Sequence, residues 1–379
     1  MDVVKFGVVG CGSAAFFHVL PFKGKADAKL RFTAAHDIDE KSVIRFSKRY
    51  KLTPYHSLEE LLESDIDAVL LAVPHHLHAS LTKAAAEAGK HVLCEKPMAI
   101  TLEECDEMIA ACRKNGVKLM IAENHRFLPA HRLIKETIER GLIGDVFLGR
   151  AYEGAFCPSQ QFLDPNLWNF TLDKAGGGVV ADQGCHKFAT LNWFLGEVDS
   201  AQCWLGKAVN SPPNKGEDNA IILLRYKSGA MITVDVSSVT VHPLTNRLEL
   251  HGTKGTILED HSWEKPVQIF SSHEEAEIKG QFYSPVVEHG VYPKYYTISA
   301  RHEDMHFAEC IIEDRTPEFA PEAAKEAVAV TLLAYLSAKK GTVTKMDELR
   351  EVEKSEGTMS ILDGLESVIQ KNYEGMSWG

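Results

Sequence analysis

The sequence predicts an α/β protein: a doubly wound parallel sheet in its first third, followed by a region built on a largely antiparallel sheet. Three observations lead there. Up to residue 122, short continuous apolar runs alternate with helix-compatible stretches, the pattern of parallel strands buried on both faces. Beyond residue 145, apolar and polar residues alternate within the strand candidates, as in strands with one solvated or partner-facing side. The 379 residues also exceed what one hydrophobic core ordinarily holds. Two domains are therefore expected, 1–122 and 123–379.

The elements follow in order. Residues 5–9 form a strand, the helix after it runs to about residue 22, and 31–36 is the second strand. Helices are expected at 40–50 and 58–63, and a third strand at 68–73 is stopped by Pro74. A helix at 77–88 ends at Gly89, 91–94 is a strand, a helix at 102–115 ends at Gly116, and 118–122 is the fifth strand. After a helix at 129–140 come strands at 146–152, 220–226, 230–237 and 247–251, with a hairpin turn at "KSGA". The stretch 262–298 shows no assignable period, and 322–340 reads as a long helix closed by Gly341.

Composition narrows the function. The formal charge of -12 argues against nucleic acid or a membrane surface as main partner, since both are polyanionic. Eight scattered cysteines, none in a C-x-x-C pair, suggest neither a zinc knuckle nor a disulfide framework. No apolar run approaches the ~18–20 residues of a membrane span, and the start lacks a basic, cleavable leader. A cytoplasmic protein is the expectation.

The stretch "VVGCGSAA" carries the first chemistry. Gly10, Gly12, Ser13, Ala14 and Ala15 sit in a G-x-G-x-x-A pattern between a strand and a helix. Gly10 permits a tight turn, Gly12 lets the backbone approach a pyrophosphate, and Ala15 keeps the helix close to the sheet. A plain strand-to-helix turn is the alternative. Asp37 closes the second strand, where a carboxylate accepts from ribose hydroxyls and repels a 2′-phosphate, favouring NAD over NADP. It would serve equally as a helix N-cap, a place Asp39 could also fill. Lys96, in "CEKPMA", falls just past a parallel strand, where open α/β sheets bind ligands, and Pro97 could fix the turn in a cis form.

The fingerprint, "EKP" (95–97), "ENHRF" (123–127), "GGGVVADQGCH" (176–186), "HGTKGTI" (251–257) and "SAKKGTVTKM" (337–346) occur in the order and spacing of the Gfo/Idh/MocA oxidoreductases. The chain resembles that family, named for glucose–fructose oxidoreductase and inositol dehydrogenase, over essentially its whole length. The resemblance implies an N-terminal Rossmann domain and a C-terminal α/β domain with an open, mainly antiparallel sheet, one face of which meets the cofactor domain while the other commonly forms subunit contacts. It implies that Lys96 touches substrate and nicotinamide ribose, and that Asp182 and His186 line the substrate pocket. Asn124 and Arg126 would lie near the nicotinamide, and Pro74, His75, His78 and Glu95 in the cofactor loops. Two positions depart from the family. His75 stands where asparagine is common, and Ala189 stands where a second aspartate often follows the histidine.

The expected chemistry is hydride transfer between nicotinamide and a secondary alcohol of a sugar, glycoside or cyclic polyol. An imidazole titrates near neutral pH and suits His186 to the hydroxyl proton. Lys96 would stabilise developing alkoxide charge, and Asp182 would orient His186. Trp168, beside Asn169 and Phe170, offers an aromatic face for a sugar ring. No metal is expected, because His75, His76 and His78 lack a carboxylate at helical spacing. A lyase that oxidises a ring carbon transiently, and a non-catalytic NAD sensor, are the alternatives. A homodimer or homotetramer is the expected assembly.

Overall fold

The computed structural model describes residues 2–24, 29–154, 160–208, 211–212, 214–240 and 245–371. The chain packs into two units, Met1–Phe127 with Tyr296–Lys325, and Leu128–Tyr295 with Glu326–Gly379.

The first unit holds a six-stranded sheet of β1 (Val4–Val9), β2 (Leu30–His36), β3 (Thr53–Tyr55), β4 (Ala68–Leu71), β5 (His91–Glu95) and β6 (Leu119–Ala122). Their order is β3-β2-β1-β4-β5-β6, and every pair is parallel. All four residues of β4 are fully buried, as a central strand covered on both faces requires. Helix Glu40–Tyr50 is capped by Asp39, and helix Leu102–Lys114 by a Thr101–Glu104 capping box. These caps explain why both helices start within a residue of the sequence expectation.

The packing differs from a single cut at 122/123. Phe307 and Ala308, from helix Lys294–Ile312, are buried in the same core as Phe6, Val8 and Leu70, and the Phe6 and Phe307 rings meet edge to face at 6.2 Å. A late segment thus returns to the first unit because its apolar face completes that core. Its helix carries no clean apolar stripe in sequence, since two buried acids, Glu303 and Asp304, interrupt it.

The second unit holds β7 (Val146–Gly154), β8 (Val198–Gly206), β9 (Asn219–Tyr226), β10 (Met231–Ser237), β11 (Thr245–Gly252), β12 (Gly255–Asp260), β13 (Val267–Ser271), β14 (Phe282–Tyr283) and β15 (Thr344–Lys345). The order is β14-β13-β12-β11-β7-β10-β9-β8-β15, with β7 and β10 the parallel neighbours among otherwise antiparallel pairs. The KSGA turn joins β9 to β10, with Gly229 at φ 94° and the Tyr226 amide donating to the Ala230 carbonyl at 2.9 Å. Along β9 the inward residues Ala220, Ile222, Leu224 and Tyr226 are buried, whereas Ile221, Leu223 and Arg225 are exposed. The register aligns Trp204 with Ile221, Arg225 with Met231, and Met231 with Leu148. All the apolar members of that group are between 39% and 57% exposed. One face of the sheet is therefore a broad mixed surface with an apolar centre.

Candidate active site

The glycine turn is dictated partly by the protein and partly not. Gly10 has φ 91°, and a Cβ there would lie 2.2 Å from the Ala72 carbonyl oxygen. Only glycine fits. Gly12 is different, because a Cβ would meet no protein atom within 4 Å. The packing of this chain makes no demand for glycine at position 12. Helix Ser13–Val19 starts from Gly12 with no side-chain cap and no acid in its first turn, so its leading amides are free of a competing carboxylate. Ala15 is fully buried against the sheet.

Asp37 joins this turn directly. Its Oδ2 accepts the Cys11 amide at 2.7 Å and its Oδ1 accepts the Asp39 amide at 2.8 Å. Asp39, by contrast, caps the following helix. The two aspartates divide the roles that the sequence left open: one faces the glycine turn, the other closes a helix.

The loops after β4 and β5 are tied by histidine. His78 is fully buried, with Nδ1 2.9 Å from the Pro97 carbonyl and Nε2 3.0 Å from the Val73 carbonyl. Its ring therefore braces the loop that follows Lys96 against the one that holds Pro74. His75 packs beside it, ring centroids 5.6 Å apart. The Lys96–Pro97 peptide is cis. The Lys96 amide donates to Glu95 Oε2 at 3.0 Å. Asn124 donates to Ser299 Oγ at 2.9 Å, and the Arg126 guanidinium lies over the Phe319 ring at 4.7 Å. Both are buried, and both contact the returning segment.

In the second unit Asp182 lies in a π-helical turn, Val180–Gly184, which leads into helix Cys185–Leu195 with His186 in its first turn. π-turns recur where a functional side chain must be re-aimed. His186 is buried and Asp182 half-buried. The Cys185 thiol donates to the Asp182 carbonyl at 3.1 Å, which gives that cysteine a packing place. Ala189 is buried at 2% exposure, in a position that now takes a methyl group.

What holds this turn was missed in the sequence. The buried carboxylate of Glu217 accepts the Gly178 amide at 3.2 Å, the Val180 amide at 2.9 Å and the Tyr335 hydroxyl at 2.9 Å. A Cβ on Gly178 would come within 1.9 Å of the Glu217 carbonyl oxygen, and one on Gly177 within 2.0 Å of the Tyr335 hydroxyl. The glycine run is thus the groove into which this brace fits. Burial raises the Glu217 carboxyl to about 7, against the pull of its hydrogen bonds. The available signal was one of two adjacent acids in a polar stretch, "NKGEDN", with nothing local to mark it.

Trp168 sits half-buried in a loop that Lys215 fastens from beneath. The Lys215 ammonium donates to the Leu167 carbonyl at 2.6 Å and the Asn169 carbonyl at 2.8 Å.

A parallel 3-2-1-4-5-6 sheet, with a glycine turn after its first strand and a carboxylate after its second, defines the dinucleotide-binding class of fold. Residues 4–123 match the model of the Gfo/Idh/MocA oxidoreductase family with its NAD-binding Rossmann fold, and residues 131–258 match the family's C-terminal domain. An uncharacterized oxidoreductase of Bacillus subtilis, YrbE, is 30% identical over 80% of this chain and 85% of its own. Myo-inositol 2-dehydrogenase of Thermotoga maritima is 30% identical over 70% of this chain and 78% of its own. Levoglucosan dehydrogenase, solved in complex with NADH and L-sorbose, shares the fold with TM-score 0.81 over 91% of this chain and 99% of that one, at 23% identity. The chain belongs to the Gfo/Idh/MocA family and is an NAD-binding oxidoreductase.

Proposed function

We propose that the protein interconverts a secondary alcohol and a ketone on a cyclic sugar, glycoside or polyol, with His186 as proton acceptor, Lys96 as the charge that stabilises the alkoxide, and Asp182 as the group that orients the histidine. Bound nicotinamide supplies the hydride chemistry. The observation that carries the reading is the Asp182–His186 turn, held on a rigid element by Glu217 and Tyr335, because a proton-transfer group must be fixed to act. The relatives whose names specify an inositol or an anhydrosugar support the substrate class. Trp168 offers the aromatic face that a sugar ring stacks on. A panel of sugars and polyols, each offered with NAD and with NADP, tests the proposal by formation of reduced cofactor.

For the cofactor, Gly10, Gly12 and Ser13 to Ala15 would hold the pyrophosphate, and Asp37 the adenosine ribose. Calorimetry should find NAD(H) bound more tightly than NADP(H). Asp37→Ser should narrow that gap by about tenfold, since it removes the group that repels a 2′-phosphate. Preference for the phosphorylated form in the parent protein would contradict the assignment.

We infer a homodimer or homotetramer built on the exposed sheet face of Trp204, Ile221, Leu223, Met231 and Leu148, an apolar centre that association would cover. Ile221→Glu with Leu223→Glu should shift light scattering toward the 42.0 kDa monomer, and a parent protein that is already monomeric would contradict it. A cytoplasmic setting fits the seven described cysteines, all of them free thiols. Among the described residues no helix is long and apolar enough to cross a membrane.

A further inference from the structure

Helix Ser13–Val19 opens on the glycine turn and presents its one basic residue inward. His18 is 2% exposed. Its Nδ1 lies 2.7 Å from Asp304 Oδ1, and its Nε2 lies 3.1 Å from Glu95 Oε1. Glu95, through its other oxygen, accepts the Lys96 amide at 3.0 Å. A continuous chain of hydrogen bonds therefore runs from a fully buried carboxylate on helix Lys294–Ile312, through one imidazole, to the backbone of Lys96.

We propose that His18, clamped between Asp304 and Glu95, is a positioning residue for Lys96: it fixes the Glu95 carboxylate in the orientation that holds the lysine's backbone. The inference rests on the assignment of Lys96 to the chemistry.

The geometry selects the form of the ring. A neutral imidazole donates from one nitrogen only, yet both nitrogens of His18 face carboxylate oxygens. The imidazolium satisfies both at once and supplies the countercharge that the buried Asp304 carboxylate and the half-buried Glu95 carboxylate need. Burial alone would lower the His18 pKa. The charge and hydrogen bond of Asp304, followed by those of Glu95, outweigh it and hold the ring well above the ordinary histidine value. Glu303 is the other acid facing the ring. Neither of its oxygens has a hydrogen-bond partner among the described residues. Burial keeps its carboxyl well above the usual range, with Asp304, Glu95 and Glu123 adding to the effect and His18 opposing it. A ring held on both sides has little freedom to turn, and Glu95 inherits that fixity.

The test uses the full-length protein and reads two quantities. Hydrogen exchange at the Lys96 amide should quicken about tenfold or more in His18→Gln, while amides of β1 and β2 keep their protection. A purely structural role would instead raise exchange throughout the first unit. With the best substrate from the sugar and polyol panel, His18→Gln should lose about tenfold or more in kcat, with KM for NAD within about threefold of the parent. The same substitution in a Lys96→Ala background should cost nothing further. A His18→Gln protein with parental kcat and parental exchange at Lys96, or a loss that multiplies with Lys96→Ala, would overturn the inference. If His18→Gln does not fold, Glu95→Gln replaces it with the same expected exchange, kcat and non-additivity. An active Lys96→Ala enzyme would overturn the site assignment itself, whereas an inactive Lys96→Ala beside a fully active His18→Gln would overturn only the positioning role.

Discussion

His186→Ala should lower kcat by about 10²-fold or more, the usual scale for removing a general base, while leaving NAD affinity close to that of the parent. The ring is buried and sits in the first turn of the helix that follows the turn braced by Glu217 and Tyr335. Truncating it would remove the proposed proton acceptor without loosening the turn. The nucleotide fingerprint, meanwhile, belongs wholly to the first unit. Lys96→Ala should cost about as much in kcat, because a fixed charge near a developing alkoxide acts mainly in the transition state. It should also weaken NAD, as the family role of the lysine at the ribose implies. Steady-state kinetics with calorimetry separates the two. A His186→Ala enzyme with parental kcat would move proton transfer to another group, and Asp182 would be the next to test.

Glu217→Ala should have the largest effect on stability of any change proposed. It would leave two buried amides and the Tyr335 hydroxyl without the acceptor they share. At ~1–3 kcal/mol for each buried donor left unsatisfied, a loss of about 3–5 kcal/mol is expected. The pH dependence has a definite sign. Burial lifts the folded-state carboxyl to about 7 from its ordinary value of 4.5, so the folded protein binds this proton more tightly than the unfolded chain. That contribution is fully present below the unfolded value and is lost as pH rises through about 7. The melting temperature of the parent should therefore fall more steeply from mildly acid to mildly alkaline pH than that of Glu217→Gln, which carries no titrating group there. Parallel pH profiles in the two proteins would contradict the account of Glu217.

The parallel half was legible because each of its signals is local. Continuous apolar strands, helices capped at Asp39 and Thr101, and glycines where the chain must turn all lie within a few residues of what they specify. The short β3, Thr53–Tyr55, has too few residues to show a period. In the second half, β9 and β10 were readable from their alternation, whereas β12 and β13 flank a charged, Pro-containing turn that hides it. Helix Cys185–Leu195 is buried almost all round, so it has no amphipathic stripe to find. The same division holds at the site. Gly10, Asp37, Lys96, Asp182 and His186 lie in short motifs. Glu217 meets Tyr335 across 118 positions, and His18 meets Asp304 across 286. Nothing local encodes those pairings, because the supporting contacts exist only once the units have folded.

The proposed activity is net oxidation or reduction of a ring alcohol. The most direct measurement follows the absorbance of reduced nicotinamide when the protein, NAD and each member of a sugar and polyol panel are mixed, with products identified by mass spectrometry. The prediction is stoichiometric NADH and a product two hydrogens lighter than the alcohol, with His186→Ala slower by about 10²-fold. Cleavage of a glycosidic or ring bond without net NADH would contradict it, and would assign the same residues to transient oxidation in a lyase.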